Sequence, residues 1–452
     1  MSDYHIFDCI KSHKKHISFH TPGHKGGVAL AKFINFCGED VTELSYTDDL
    51  GSPSGAIAEA QADMAAITGA KRAYITTDGS TSGILSMMYA VKGRGGKIIV
   101  PRNSHKSVWN ACSLFHLEPV IVQGEENEGV LLPPSAELVA ELVQKDGDIL
   151  GMIALSPDYY GNIAPLERYA EVLHANGRLL LADGAHGAHL FGQDNLHVGA
   201  YADVWTESAH KTLPALTQGA AVFLNNLSLA PALEEGLSLF RTTSPSFPIM
   251  GSVEFGYKYI SAHPELTAEV KAMCESFKAE FPQLNFYPSA DWTKLCLDCS
   301  KLTIDARLAA KKLEERGVFA EFADGRYIVF YLSPVTQKAH FKALGNALKW
   351  LFKQKKLRST YVPLKKLPVF QRNYSYLYAL SQPAEYVLPQ EAVGRMCACN
   401  AGLMPPCVPI VAAGEMISEE AAKLLGGNEH TFGLSGGKIK VVKKNEWQVH
   451  NF

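Results

Sequence analysis

Between about residues 70 and 225, short apolar runs alternate with helix-like stretches: AYITT (73–77), KIIV (97–100), ILGMIAL (149–155), RLLLAD (178–183), DVWT (203–206) and AAVFL (220–224). Nearly every position in these runs is apolar, rather than every second one, as expected of strands covered on both faces. Strands alternating with helices in this way predict an α/β fold, a mostly parallel sheet with helices on both faces. Each run is followed by a polar, often glycine-rich segment: DGSTSG, PRNSHKS, SPDYYGN, DGAHGAH and ESAHK after the first five. Ligands of open α/β sheets sit at the carboxyl ends of the strands, so these segments predict one shared site.

After residue 256 the texture changes to KLCLDCS, a helix over 304–316, GVFAEFAD, RYIVFYLS and a helix over 337–353. This predicts a small α+β domain, with Thr303 as an N-cap and Gly317 as a helix stop. A basic, proline-punctuated stretch over 354–372 reads as a linker. The expected organisation is an N-terminal segment (1–30), a major ligand-binding domain (31–255), the small domain (256–356) and a C-terminal domain (357–452).

Composition narrows the function. With 452 residues, 47% hydrophobic and 20% charged, the chain is a multidomain globular protein rather than a disordered or fibrous one. A formal net charge of -3 offers no general attraction to nucleic acid or to a membrane surface, which favours a small polar substrate. No apolar run approaches the roughly 18 residues of a membrane span, and the opening residues lack the apolar core of a signal peptide, so a cytoplasmic protein is expected. The nine cysteines lack paired CxxC spacing and read as buried apolar side chains rather than disulfides or a zinc site.

The chemistry concentrates at two strand ends. Asp183 closes RLLLAD, and Lys211 lies in ESAHKTLPALTQGA. A carboxylate can keep a pyridine nitrogen protonated while a lysine amine holds the cofactor as a Schiff base, which is what pyridoxal phosphate (PLP) requires. Either residue alone has a bland reading, as a helix cap or a solvated lysine. DGSTSG precedes a helical stretch and can gather hydroxyls and N–H groups around a phosphate, through Ser80, Thr81 and Ser82, with Ser208 and His210 adding donors. The same serines also suit an ordinary helix start. His105 is placed to stack on the ring, and His186 to orient Asp183 or touch the cofactor's 3' oxygen. A rival metal reading uses Asp183, His186 and His189, or His20 and His24, but it leaves DGSTSG and SAHK without a role, and no metal is expected.

These motifs resemble the bacterial ornithine/lysine/arginine decarboxylases, PLP enzymes of fold type I with an aspartate aminotransferase-like architecture. The resemblance runs in order through HTPGHKGG, DVTELSYTDDL, GAIAEAQ, TTDGSTSG, PRNSHKS, SPDYYGN, ADGAHGAHLFG, ESAHKTLPALTQGA and TTSPSFPIMGS, and into EAVGRMCACNAGLMPPCVPIVAAGEMI. It implies that Lys211 forms the Schiff base, His105 stacks on the ring, Asp183 pairs with the pyridine nitrogen, and Ser80, Thr81, Ser82, Ser208 and His210 surround the phosphate. It implies further that Thr242 or Thr243 reaches the phosphate of a neighbouring subunit, which requires a homodimer. Four positions depart from the family pattern: Gly184 where Glu is usual, Asp158 where Thr is usual, and Met404 and Cys407 where an aromatic and a glycine are common.

The expected reaction is decarboxylation of arginine, lysine or ornithine to the corresponding amine. Glu43, Asp48 and Asp49, or Glu391 and Glu415, are acidic candidates for the substrate's distal cation, although acidic runs are commonly solvated faces. An aminotransferase or lyase on the same fold is the nearest rival, since the fold does not fix the reaction. A non-catalytic protein and a metal hydrolase are the others.

Overall fold

The computed structural model describes residues 4–13, 21–22, 24–25, 37–92, 96–193, 195–354, 374–404, 408–427 and 430–444. His20 and Cys407 lie outside the described residues. Seven strands carry the α/β architecture: β1 (Arg72–Thr76), β2 (Lys97–Pro101), β3 (Glu118–Val122), β4 (Ile149–Leu155), β5 (Leu179–Asp183), β6 (Val204–Glu207) and β7 (Ala220–Leu224). Six of them coincide with the apolar runs to within a residue or two. The seventh, β3, is the short EPVIV segment, whose acidic and proline residues obscure the run.

The chain divides into two compact units. The first comprises residues 1–90, 156–166 and 180–361, the second 91–155, 167–179 and 362–452, so the residues expected to form one major domain are shared between them. In the first unit the strands run in the order β1-β7-β6-β5, with β5 and β6 parallel and β7 antiparallel to both of its neighbours. In the second the order is β4-β2-β3, all parallel. The mostly parallel sheet that the apolar runs predict is therefore present, with β7 as the reversed strand. Strands β5, β6 and β7 are buried at every position, which is why their sequences are continuous rather than alternating.

The first unit also holds an antiparallel sheet that includes β8 (Lys294–Asp298) and β9 (Tyr327–Tyr331). It has its own apolar core, built with helices Ala306–Glu314 and Lys338–Leu351 from residues such as Phe277, Leu297, Leu313, Ile328 and Leu348. The predicted α+β segment is thus found nearly as read, with one correction. The N-cap of Ala306–Glu314 is Asp305, whose carboxylate accepts the Arg307 and Leu308 N–H groups, while Thr303 adopts a left-handed conformation (φ 57°) just before it. Gly317 ends that helical region at φ 74°, a conformation that costs glycine no steric strain. In the second unit, the C-terminal residues form two small antiparallel sheets around Cys397, Val411, Ile417, Leu425 and Val441.

Candidate active site

The carboxyl ends of β5 and β6 lie side by side, since Gly184 N–H donates to the Thr206 carbonyl (2.9 Å). Asp183 is the last residue of β5 and only 4% exposed. Its Oδ1 accepts the Ala185 N–H (3.1 Å), and among the described residues this is the carboxylate's one hydrogen bond. Burial raises the Asp183 carboxyl above its usual range, opposed by the charge of Lys211 and by the Ala185 N–H. A cationic N–H donor brought to Oδ2 would offset that burial, which is what a protonated pyridine nitrogen offers.

Strand β6 ends at Glu207, and the chain turns through Ser208 into the one-turn helix Ala209–Thr212, which carries Lys211. The Lys211 amine stands 3.2 Å from His186 Nε2. Ser208 Oγ donates to Ser80 Oγ (2.8 Å), so the end of β6 and the start of helix α1 (Gly79–Lys92) meet through two hydroxyls. DGSTSG does not merely precede this helix. It forms the first turn, leaving early N–H groups without intrahelical partners. Ser82 is buried and donates to the Gly79 carbonyl (3.0 Å), whereas Thr81 is exposed. Gly83 lets the turn seat itself: a Cβ there would lie 2.3 Å from Thr206 Oγ1 and 2.9 Å from Val222 Cγ2.

His210 donates from both its backbone N–H (3.1 Å) and Nδ1 (2.9 Å) to the Gly219 carbonyl, and burial lowers its pKa. Its Nε2 is therefore a donor to a phosphate only as imidazolium, a form the phosphate charge would favour. His105 belongs to the second unit, where it follows β2 as N-cap of helix α2 (Lys106–Phe115) and its Nδ1 accepts the Ser107 N–H (3.2 Å). Thr242 and Thr243 are exposed, and Thr242 N–H donates to Asp78 (3.2 Å).

Two of the departures from the family pattern acquire structural accounts. Asp158 is 1% exposed and ties its own loop, accepting from Tyr160 N (2.8 Å), Asn162 N (2.9 Å) and Asn162 Nδ2 (2.8 Å). At Gly184 a Cβ would come within 2.9 Å of Val198 Cγ2, with Glu207 Cγ 3.4 Å away. Glu207 is fully buried and accepts from His197 Nε2 (2.6 Å), Trp205 Nε1 (2.9 Å) and the Tyr257 hydroxyl (2.5 Å). It anchors the strand end that presents Ser208 and Lys211. A charged residue directly after the apolar run DVWT was the signal for it. Met404 is 41% exposed, and nothing in the structure explains its identity.

The acidic substrate candidates are mostly committed elsewhere. Asp48 accepts the N–H groups of Ser54, Gly55 and Ile57 (2.9 Å each) and so caps helix Ala56–Thr68. Glu43 accepts Leu50 N–H (2.8 Å), and Asp49 accepts Gly51 N–H (2.6 Å). Glu391 accepts Leu388 N–H (3.2 Å). Glu415 is 2% exposed and forms a bidentate ion pair with buried Arg102, one arm of which measures 2.8 Å. The histidines of the metal reading also have other partners: His186 faces Lys211, His189 faces Asp291 (3.0 Å) and His24 faces Asp40 (3.1 Å). No group of three or more metal-ligating side chains occurs among the described residues.

The site thus brings together an amine, a buried carboxylate with an open oxygen, and paired hydroxyls at a helix start, and this donor set fits PLP. A family model described as Orn/Lys/Arg decarboxylase, major domain, matches residues 7–289. The chain belongs to the Orn/Lys/Arg decarboxylase family. As a member it is a PLP-dependent carboxy-lyase. It is similar to the uncharacterised protein YaaO of Bacillus subtilis, 31% identical over 433 residues and 90% of each chain. An arginine decarboxylase of the same organism is 28% identical over 451 residues, covering 92% of this chain and 91% of the relative. In three dimensions the decarboxylase is similar to the Francisella novicida lysine decarboxylase, with a TM-score of 0.81 at 18% identity, over 97% of this chain and 81% of that one. That likeness speaks for the fold. No helix among the described residues is long and apolar enough to cross a membrane.

Proposed function

We propose that this family member removes the α-carboxylate of arginine, lysine or ornithine as carbon dioxide, with PLP held on Lys211. The observation that carries the reading is the meeting of the Lys211 amine, the buried Asp183 carboxylate and the Ser80–Ser208 hydroxyl pair at the ends of two adjacent strands. When bound, PLP supplies a sink for the electron pair left behind by the departing carbon dioxide.

The protein's part is to hold groups in place. Asp183 would hold a proton on the pyridine nitrogen through its open oxygen, and His186 stands beside the amine. Ser80, Thr81, Ser82, Ser208 and His210 take the phosphate at the start of α1, where N–H groups and the helix dipole favour an anion. By the family resemblance, His105 would provide the stacking face. Thr242 or Thr243, exposed on each chain, completes the phosphate site of a second copy, so the working form is a homodimer or higher homo-oligomer in the cytoplasm. Decarboxylation, rather than loss of the α-hydrogen, would be selected by how the chain's residues orient the substrate's α-carboxylate.

The test is a visible absorption spectrum with added PLP, followed by carbon dioxide release from arginine, lysine and ornithine, wild type beside Lys211→Ala. A cofactor band that the variant lacks, with gas from one of the three substrates, supports the reading and names the substrate. A band without gas moves the chain to an aminotransferase or lyase, and no band at all overturns the proposal.

A further inference from the structure

Behind the Lys211 amine and His186 lies a polar chain whose further members the cofactor roles above do not use. His186 Nε2 is 3.2 Å from Lys211 Nζ, and its Nδ1 is 3.0 Å from the Tyr331 hydroxyl. That hydroxyl in turn donates to the Tyr159 carbonyl (3.3 Å). Lys294, whose side chain is wholly buried, donates to the His186 carbonyl (2.9 Å) and lies 4.9 Å from the centre of the Tyr331 ring. Its ammonium is matched by Asp291 (2.6 Å), which also takes the His189 ring N–H (3.0 Å). Against burial, which would raise it, Lys294 and His189 hold the Asp291 carboxyl below the usual range.

The donors and acceptors along this chain determine the tautomer of His186. A carbonyl only accepts, so the Tyr331 hydrogen points to Tyr159 and its oxygen is left to accept from His186 Nδ1. A neutral imidazole with its hydrogen on Nδ1 has a bare lone pair on Nε2, and an ammonium has only hydrogens to offer. Every junction then pairs a donor with an acceptor. The opposite tautomer would take the Tyr331 hydrogen away from Tyr159 and would require an uncharged amine at Lys211.

We propose that Tyr331 and Lys294 are positioning residues that lock His186 with its hydrogen on Nδ1, making Nε2 the base that takes the proton of the Lys211 ammonium. In that step an N–H bond at Nζ breaks, its electron pair stays on Nζ as the lone pair that a neutral amine would offer to PLP, and an N–H bond forms at Nε2. The imidazolium keeps its Nδ1 hydrogen on Tyr331 throughout. Lys294 holds the arrangement from two sides, through the backbone of His186 and the face of the Tyr331 ring. Among the described residues, the groups facing His186 are Lys211, Tyr159 from its loop at a ring distance of 4.9 Å, Tyr331 and Lys294, with Glu321, Cys296 and Asp158 acting on Tyr331 through their charges.

The proposal rests on the PLP reading of Lys211, and its test separates the two. Nitrogen-15 NMR of the His186 ring in cofactor-free protein should show the hydrogen on Nδ1 and a bare Nε2. Tyr331→Phe removes the acceptor of Nδ1–H together with the hydroxyl's donation to the Tyr159 carbonyl, and it is the charged ring that needs the acceptor more than the neutral one. The ring's titration midpoint should therefore fall by roughly 0.5–1 pH unit, the size of one hydrogen bond. In the holoenzyme the same variant should lose about 10-fold in kcat, with the acid limb of its pH profile displaced in the same direction and KM little changed. A wild-type ring with its hydrogen on Nε2 overturns the proposal without need of any variant. So does a folded Tyr331→Phe protein whose ring titration is unmoved. A wild type that binds no PLP defeats the functional reading while leaving the tautomer measurement to stand.

Discussion

At the residue scale, the site depends on where charge is buried and what answers it. Asp183 and Glu207 are both enclosed, yet Glu207 has three donors and Asp183 one, so only Asp183 keeps an oxygen for a ligand. Asp158 is a third case. Burial pushes its carboxyl up to about 6 from 3.8, despite the N–H groups of the 160–162 loop that it accepts. The folded protein therefore retains a proton there that the unfolded chain releases. That contribution to stability is complete below about pH 4 and is lost as pH rises to 6, by up to about 3 kcal/mol. Asp158→Asn cannot ionise. Its thermal midpoint, whatever its constant offset, should fall less than that of the wild type between pH 4 and 6, and parallel curves would show that Asp158 does not titrate in this range.

At the scale of elements, the phosphate end of the site depends on how closely a helix approaches a strand. Helix α1 can bring its first turn against β6 and β7 because Gly83 has no side chain where Thr206 and Val222 stand. Gly83→Ala should cost about 1–3 kcal/mol, as overpacking of a filled interior does. Because the displaced turn carries Ser80 and Ser82, PLP affinity should fall as well. Urea unfolding and a PLP titration check both, and a destabilised protein with unchanged PLP affinity would take the phosphate away from this turn. Tyr331 and Lys294 illustrate the same dependence from the small sheet: β8 and β9 are ordinary apolar strands by pattern, yet each delivers one polar group to the back of His186. A tyrosine or lysine within such a run reads as core or edge, so no local signal marks either one.

At the scale of the molecule, residues far apart in sequence are tied within one unit. Arg102 and Glu415 belong to the second unit and meet as a buried bidentate pair, with Arg102 also donating to the Ile410 carbonyl (2.8 Å). Removing one partner leaves the other charge buried and unanswered, so Glu415→Ala should cost about 3–5 kcal/mol. The preference among arginine, lysine and ornithine should be unchanged. Urea unfolding and competition among the three substrates measure the two effects, and a changed preference in a protein of unchanged stability would return Glu415 to the substrate pocket.

Much of this was legible before any coordinates. Short continuous apolar runs bounded by turn residues are the pattern of strands covered on both faces, so the α/β class, six of the seven main strands and the gathering of loops at their ends follow from local pattern. Lys211, Asp183 and Ser80 stood out because they occupy strand ends and a helix start, where geometry is inherited from the element. What the pattern could not decide was which polar groups pair, whether a few residues apart or hundreds. Asp48 looked like a substrate group until its carboxylate was found on the first N–H groups of a helix, and Glu415 until it was found on Arg102. Sequence determines which groups carry charge and on which element they ride. Only the tertiary structure decides which of them meet, because burial and hydrogen bonding depend on neighbours that the chain supplies from a few residues or from hundreds away.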